Sequence, residues 1–184
     1  MSNGIVHHPP NRVELDGLTL RFARLDDAEL IAQAVHSSLE HLVPWMPWAT
    51  PEAGTVEEQR IRRIEGQSNM EAGSDYMYLL MDDKERSLLG VVGLHRRVGP
   101  GAIEIGYWLR PEAVGGGRMT TAVTALTAAA LTLPDVDRVE IHCDEANLRS
   151  QAVPPRVGYR LDRIEDDEIQ TPNEVGRRMI WVYP

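Results

Sequence analysis

The sequence contains a single cysteine, Cys143, and this scarcity excludes two kinds of architecture. One thiol forms neither a disulfide within the chain nor a cysteine-rich metal site. The histidines His36, His41 and His95 stand at no ligand spacing with acids or cysteine, so we predict no metal. A chain of 184 residues buries a sufficient core without such cross-links, and we expect one domain.

Long apolar runs and an excess of positive charge are also missing. No stretch approaches the roughly 20 apolar residues of a membrane span, so we expect no membrane partner. With 19 basic and 28 acidic residues, the net charge of -9 would repel a nucleic-acid backbone, and we expect no nucleic-acid partner. The same acidity favours cationic or neutral substrates.

The N-terminal residues do not combine a basic start with an apolar run, so they do not resemble a secretory signal. We therefore predict a cytoplasmic protein. Residues 1–12 are expected to form a flexible tail, and residues 13–184 the single domain.

Hydrophobic periodicity predicts seven strands and four helices. Two prolines forbid regular structure between residues 42 and 48 and leave an aromatic loop there. The order of elements predicts a mixed α/β sheet with helices packed on its faces. The predicted strands cover residues 18–22, 76–81, 87–94, 103–109, 138–143, 159–164 and 178–183, and the predicted helices cover residues 28–39, 55–70, 119–133 and 146–157.

The most informative segment is the glycine turn Val114-Gly-Gly-Gly-Arg-Met119, which joins a predicted strand to a predicted helix. Free N–H groups and the helix dipole at such a helix start bind a pyrophosphate, and glycines let the backbone approach it closely. The turn lacks both the Gly-x-Gly-x-x-Gly spacing of dinucleotide folds and the Gly-Lys-Ser/Thr ending of NTPase loops. Taken alone, the three glycines fit a flexible loop before an ordinary helix equally well.

In its strand and helix context, the turn resembles the coenzyme A loop of the GCN5-related N-acetyltransferase (GNAT) superfamily, Gln/Arg-x-x-Gly-x-Gly/Ala. Gly117 takes the invariant glycine, while Val114 and Met119 depart from the first and last slots. Met-Thr at positions 119 and 120 is usual in the RimJ/RimL-type branch of ribosomal-protein N-acetyltransferases. The resemblance implies the α/β GNAT fold, with a central, mixed, mostly antiparallel, splayed sheet flanked by helices, and it implies acetyl-CoA as co-substrate.

Three further segments resemble the same branch, so the resemblance spans roughly residues 15–184. The loop Leu42-Val-Pro-Trp-Met-Pro-Trp-Ala49 is similar to its Leu-x-Pro-Trp-x-Pro-Trp-Ala box, which implies that Trp45 and Trp48 line the acceptor pocket. For Trp45, a role in packing the core fits slightly better than a role in the acceptor pocket. Residues 103–109 resemble the strand whose exposed backbone pairs with the pantetheine arm.

The third segment, Asn147-Leu-Arg-Ser-Gln-Ala-Val-Pro-Pro-Arg-Val-Gly-Tyr159, resembles the family element Asn-x-x-Ser-x-x-Val-x-x-Arg/Lys-x-Gly-Phe/Tyr. The resemblance implies that Asn147 lies beside the pantetheine and that Ser150 hydrogen-bonds the departing thiolate. Both residues also suit the capping of a short helix. Pro154 stands where many members have a tyrosine acid, so Ser150 is the default thiolate partner. The cofactor-binding residues implied by the resemblance are Tyr107, Trp108, Leu109, Val114, Gly115, Gly116, Gly117, Arg118, Met119, Thr120, Asn147, Ser150 and Arg156.

Two carboxylates are candidates for the general base of such a reaction. Glu104 alternates with Ile103 and Ile105 on the strand where relatives often carry a base that works through water, and we prefer it, also as an acceptor-binding residue. Glu168 lies in an acidic run near the position of a base proposed for RimL-type enzymes. Such a run is usually a solvated face. His142 and Cys143 are expected to pack rather than react.

The resemblance implies acetyl transfer from acetyl-CoA to a primary amine by direct attack in a ternary complex. The acceptor is either a protein N-terminal α-amino group or a small-molecule amine, and a homodimer is expected. An acyl-CoA-binding module with little or no turnover is the alternative, suggested by Val114, by the Pro154-Pro155 pair and by the missing tyrosine acid. A nucleotide-binding domain that uses the triple-glycine turn is a third hypothesis.

Overall fold

The structure is a computed structural model that describes residues 6–183, in which eight strands form one sheet. The strands are β1 (Arg12–Leu15), β2 (Leu18–Phe22), β3 (Asp75–Asp82), β4 (Leu88–His95), β5 (Ala102–Leu109), β6 (Arg138–Asp144), β7 (Arg160–Asp166) and β8 (Arg177–Tyr183). The helices are α1 (Ala28–Leu42), α2 (Val56–Glu71), α3 (Arg118–Ala130), α4 (Leu148–Gln151) and α5 (Pro154–Val157).

Within the sheet, the strand order is β1-β2-β3-β4-β5-β6-β8-β7, and only the β5–β6 pair is parallel. That pair is short, because its register runs from Ala102 opposite Arg138 only as far as Glu104 opposite Glu140. Beyond these residues β5 and β6 part from each other. The predicted mixed, mostly antiparallel sheet is confirmed, and the parallel pair is where it splays.

The two faces of the sheet carry separate hydrophobic cores because successive side chains of a strand point to opposite sides. Ile103 and Ile105 of β5 pack with α3, whose buried face includes Val123 and Leu126. Trp108, near the other end of β5, packs on the opposite face with residues of α1 such as Val35. On this face, α1 lies against β4 and α2 against β3.

The start of α1 is fixed by a buried ion pair. Asp27 accepts hydrogen bonds from Nη1 and Nη2 of Arg21, both at 2.7 Å, and from the backbone N–H of Arg24 at 2.7 Å. Burial alone would raise the pKa of Asp27, but these donors outweigh it and lower the pKa below its ordinary value. The pair ties β2 to α1 and thereby orients the helix that leads into the aromatic loop.

Several predicted elements differ from the observed ones. Strand β1 was not predicted, because it has only four residues and its polar positions alternate at the surface. The helix predicted over residues 146–157 is divided into α4 and α5, since Pro154 and Pro155 have no N–H to continue it. Helix α3 ends at Ala130, three residues before the predicted end.

The predicted tail is only partly described, since residues 1–5 lie outside the described residues. Pro9 is buried, and the hydroxyl of Tyr78 donates a hydrogen bond to the carbonyl of Pro10 at 2.6 Å. Strand β1 begins at Arg12, inside the expected tail. Between residues 6 and 183, no helix has the length and apolar character that crossing a bilayer requires.

We expect Asp27→Ala to lower the free energy of unfolding by about 3 kcal/mol, because it leaves the charge of Arg21 buried without its main partner. The contribution of Asp27 in the native chain should be full above the unfolded carboxyl pKa of about 4 and should fade as the pH falls below it. Chemical denaturation of both proteins across acidic pH measures this. Asp162→Ala, in an exposed pair with Arg163, is the control and should cost less than about 1 kcal/mol.

Candidate active site

Three consecutive glycines form the turn before α3. Gly115, Gly116 and Gly117 have φ angles of 95°, 63° and 72°, which L side chains rarely adopt. No atom lies within 4 Å of an ideal Cβ at Gly115 or Gly117, so the protein requires glycine there for conformation rather than for space. The left-handed Gly117 caps α3, which begins at Arg118.

The amides at the head of α3 are open. Among residues 6–183, no oxygen accepts a hydrogen bond from the backbone N–H groups of residues 115–120, and the first bond of the helix runs from Thr121 N to Gly117 O at 2.9 Å. Unpaired N–H groups and the positive end of the helix dipole make such a position favourable for an anion.

The glycine turn is braced from its helix side. Nη1 of Arg118 donates hydrogen bonds to the carbonyl oxygens of Ala113 at 3.2 Å and Gly115 at 3.3 Å. Val114, in the slot that is Gln or Arg in the family pattern, is apolar and exposed. Arg118 therefore supplies hydrogen bonds to the loop that Val114 has no side-chain donor to make.

A cleft of about 410 Å³ extends from this turn, past the edge of β5 that has no β6 partner, to α4. Of the thirteen residues expected to bind the cofactor, twelve line the cleft, and Gly116 is the exception. Its charged lining consists of Arg118, Arg149 and Arg156, and no Asp or Glu is among the described residues that border it. In a chain with a net charge of -9, this is a local concentration of positive charge.

The cleft ends where β5 and β6 part, at a small hydrogen-bonded cluster. The hydroxyl of Tyr107 donates to the carbonyl of Ser150 at 2.9 Å, and Oγ of Ser150 donates to the Tyr107 hydroxyl at 3.4 Å. Oδ1 of Asn147 accepts from the N–H of Ser150 at 3.1 Å and so caps α4. Burial raises the pKa of Tyr107 well above its ordinary value, which keeps its hydroxyl protonated. These contacts fix Ser150 at the gap.

A second cavity, of about 700 Å³, lies on the α1–α2 face of the sheet. Its floor includes Gly93 and Gly106, whose lack of a side chain leaves room for the ring of His95. An added Cβ at Gly93 would come within 2.4 Å of Nε2 of His95. This cavity and the cleft share six bordering residues at the splay: Trp45, Met46, Tyr107, Trp108, Asn147 and Ser150.

Glu104 lies on this floor and is held by an arginine. Nε and Nη2 of Arg97 donate to its two carboxylate oxygens at 2.7 and 2.6 Å, and only 9% of the Glu104 side chain is exposed. Burial alone would raise the pKa of Glu104, but the hydrogen bonds and charge of Arg97 lower it below its ordinary value. Glu104 is therefore an ionised carboxylate at neutral pH.

Two histidines flank Glu104, each bound to a carboxylate. Nδ1 of His95 lies 2.7 Å from Oδ2 of Asp75, and Nε2 of His142 lies 2.8 Å from Oε2 of Glu140. His95, His142 and Arg97 were not predicted as site residues from the sequence. Their proximity to Glu104 depends on how four strands pair, which no local pattern reveals. The alternation of residues 104, 140 and 142 with apolar neighbours was the signal that they share a face.

The aromatic loop borders both cavities. Trp48 lines the larger cavity, and its ring centroid lies 6.1 Å from that of Trp108. Trp45 lines both the cavity and the cleft and is half-buried, so it reaches the splay as well as packing beside it. The predicted irregular loop is observed here, and the contact of Trp45 and Trp48 with an acceptor stays a prediction.

Glu168 is exposed and lies at the border of the larger cavity, in the connection between β7 and β8. That connection is anchored by Asp144 at the end of β6. The carboxylate of Asp144 accepts from the backbone N–H groups of Gly176 at 3.1 Å and Arg177 at 3.2 Å, and from that of Ala146 at 2.8 Å. One side chain thus positions two walls of the cavity.

Cys143 also borders the larger cavity, and its environment is unreactive. Burial raises the pKa of its thiol to about 11. Among residues 6–183, no group of three or more His, Cys, Asp and Glu side chains is arranged as a metal site.

Comparison with known proteins finds acetyltransferases. Residues 17–160 match the family described as the acetyltransferase (GNAT) domain. The chain is 33% identical over 150 residues to "Putative ribosomal N-acetyltransferase YdaF" of Bacillus subtilis (strain 168), a match that covers 77% of each protein.

Solved structures with the same fold include two ribosomal-protein acetyltransferases. The ribosomal-protein-S5-alanine acetyltransferase of Vibrio fischeri superposes with a TM-score of 0.85 at 20% identity, covering 94% of this chain and 95% of that one. RimL, a ribosomal L7/L12 α-N-protein acetyltransferase in complex with coenzyme A, superposes with a TM-score of 0.83 at 23% identity, covering 92% and 94%. At these identities the likeness concerns the fold.

We expect Cys143 to be alkylated by iodoacetamide at least about 100-fold more slowly than free cysteine at about pH 8, because a free thiol has a pKa of about 8.5. The rate should rise with pH until about 11, the pKa to which burial raises this thiol. Mass spectrometry follows the reaction without ambiguity, since the chain has one cysteine. A midpoint close to that of free cysteine would contradict the buried environment.

Proposed function

Since its residues 17–160 match the acetyltransferase (GNAT) domain, the chain belongs to that family, and we propose that it transfers the acetyl group of acetyl-CoA to a primary amine. One observation carries the proposal. The open amides of residues 115–120 stand at one end of a cleft whose other end is the gap between β5 and β6. An anion site joined to an unpaired strand edge suits a ligand with a diphosphate and an amide-containing arm.

The charge of the cleft supports coenzyme A as the ligand. Arg118, Arg149 and Arg156 border it without a carboxylate among the described residues. Coenzyme A carries a diphosphate and a further phosphate, so arginines and open amides complement it. The edge of β5 from Ile105 to Leu109 has no β6 partner, and its backbone groups are free to pair with the two amides of the pantetheine arm.

Acetyl-CoA supplies an activated thioester, and the chain's residues would position it and handle the protons. The free backbone N–H groups on the β5 edge are suited to polarise the thioester carbonyl. Oγ of Ser150, fixed by Tyr107 at the meeting point of cleft and cavity, is suited to hydrogen-bond the departing thiolate. These roles suit a reaction in which the amine, bound together with acetyl-CoA, attacks the thioester directly.

Glu104 is the preferred acceptor of the amine's proton, through a water molecule. It is ionised, it lies on the cavity floor, and its carboxylate is held in one orientation by Arg97. Glu168 is the alternative base, but it is exposed at the cavity border, where solvent competes for the same proton.

The larger cavity supports a cationic amine as acceptor. Its lining has more carboxylates than arginines, and Trp45 and Trp48 supply an apolar wall. A protein N-terminal α-amino group and a small-molecule amine both meet this description. The carboxylates are Glu65, Asp75, Glu104, Asp144, Asp167, Glu168 and Glu174, and the arginines are Arg62, Arg63, Arg97 and Arg178.

Thiol release from acetyl-CoA, measured with a panel of peptides and small amines, separates the proposal from its alternative. Turnover with at least one amine supports the enzyme, whereas binding without release across the panel favours an acyl-CoA-binding module. Competition between coenzyme A and ATP tests the nucleotide-binding hypothesis, and a preference for ATP would exclude the proposal. A homodimer stays a prediction.

We expect Gly117→Ala to weaken coenzyme A binding by about tenfold or more, equal to about 1.4 kcal/mol, because the new Cβ enters the open space in front of the amides. The left-handed alanine should also cost about 1–2 kcal/mol of stability. Calorimetric titration with coenzyme A measures the first effect and thermal unfolding the second.

Gly17→Ala is the matched control. Gly17 has a φ of 69°, no atom lies within 4 Å of its ideal Cβ, and it borders neither cavity. It should lose as much stability as Gly117→Ala while binding coenzyme A normally. Equal affinities of both variants would contradict the cofactor assignment.

We expect Glu104→Gln to lower kcat about 100-fold or more, because it removes the proton acceptor while keeping the shape of the side chain. Glu168→Gln, at the cavity border, should change kcat much less. Steady-state kinetics with the best acceptor from the panel measures both. Full turnover in Glu104→Gln would eliminate the assignment, and a loss confined to Glu168→Gln would transfer it to Glu168.

A further inference from the structure

His142 lies beside Glu104 and borders the larger cavity. The proposed reaction gives His142 no role. Its Nδ1 lies 3.9 Å from Oε2 of Glu104, and 16% of its side chain is exposed. It belongs to β6, at the second residue beyond the start of the splay. Its ring therefore lies beside the carboxylate proposed to receive the proton, on a strand that has just parted from β5.

Glu104 is poorly suited to keep a proton. Both of its oxygens accept from Arg97, at 2.7 and 2.6 Å, and protonation would weaken these hydrogen bonds. The resulting low pKa favours rapid release of the proton to a stronger base nearby. Imidazole is the side chain whose ordinary pKa lies closest to neutral pH.

The tautomer of His142 is set by Glu140. Oε2 of Glu140 lies 2.8 Å from Nε2 of His142, and the Glu140 side chain is 96% buried. Its other oxygen accepts from Nε of Arg138 at 2.8 Å. A carboxylate at Nε2 accepts the N–H there, so the lone pair of the neutral ring is on Nδ1, facing Glu104.

We propose that His142 stores the proton that the acceptor amine loses, receiving it from Glu104 on Nδ1 through a bridging water while Glu140 holds the ring by Nε2. The inference rests on the proposed acetyl transfer. As the nitrogen–carbon bond forms and the carbon–sulfur bond breaks, the electron pair of the latter stays on sulfur. An acceptor bound as its cation first gives one proton to solvent and attacks as the neutral amine. On forming the amide, the nitrogen loses a further proton, which passes to Glu104 and then to His142, and the imidazolium returns it to solvent before the next turnover.

Charged groups from several elements surround His142. Glu104 faces it from β5, and Glu140 and Asp144 from its own strand. Arg178 flanks it on β8, and His95 and Arg97 lie beyond Glu104. The cavity walls add Arg62, Arg63, Glu65, Asp75, Asp167, Glu168 and Glu174.

The tautomer is tested without turnover. Nitrogen-15 NMR of the free protein at about neutral pH should show His142 with its proton on Nε2, the signals being assigned by their absence in His142→Gln. A proton on Nδ1 of the neutral ring would overturn the proposal, because no lone pair would then face Glu104.

The catalytic role is tested by the pH dependence of kcat at saturating acceptor. A base must be unprotonated to accept a proton, so wild-type kcat should fall on the acidic side of its pH profile. His142→Gln should lower kcat about 10-fold to 100-fold and lose this acidic limb, because Glu104 alone titrates at lower pH. Its affinity for coenzyme A should match the wild type, which verifies an intact fold.

Two histidine variants serve as controls. His36→Gln, exposed on α1 and bordering neither cavity, should keep both kcat and the acidic limb. His95→Gln, changed on the other side of Glu104, should keep the acidic limb. An acidic limb that persists in His142→Gln, or that disappears in His95→Gln, would overturn this proposal alone. A wild type that acetylates no amine would overturn the proposed function together with it.

Discussion

The parallel pairing of β5 with β6 ends at Glu104 and Glu140, and the strands beyond leave backbone groups without a strand partner. Buried backbone N–H and C=O groups demand hydrogen bonds, so an unpaired edge inside a sheet is stable only where solvent or a ligand reaches it. The gap also joins the two faces of the sheet. The cleft on the α3 side and the cavity on the α1–α2 side meet there, with Tyr107, Asn147 and Ser150 at the junction.

Electrostatics divides the two sides of this gap. The cleft is bordered by arginines and by the open amides of α3, whereas carboxylates outnumber arginines in the lining of the cavity. An anionic donor and a cationic acceptor would therefore be drawn to opposite sides and meet at the splay. The junction itself has no charged residue among those that the cleft and the cavity share. The groups that could contact a reacting thioester there are the backbone of the β5 edge and the hydroxyl of Ser150.

Strand register brings together the charged side chains on this face of the sheet. Asp75, His95, Glu104 and Glu140 occupy paired positions on β3, β4, β5 and β6, so their side chains share one face. Each carboxylate there is bound to a basic group, to His95, Arg97 or His142. Such pairing offsets the free-energy cost of burying these charges. It also fixes the orientations of the rings and carboxylates that a reaction would need.

The order of strands and helices followed from the sequence, because apolar periodicity and the positions of glycine and proline are local properties. The glycine turn, the aromatic loop and the Asn147–Ser150 segment were recognisable for the same reason. Strand β1 was not predicted, since four residues are too few to show a clear period. The tertiary structure alone decided the rest: the early end of the β5–β6 pairing, the brace from Arg118, and the contacts of Glu104 with Arg97 and His142. These depend on strand register and on which loops meet in space, and no local pattern encodes the distance between residues that lie far apart along the chain.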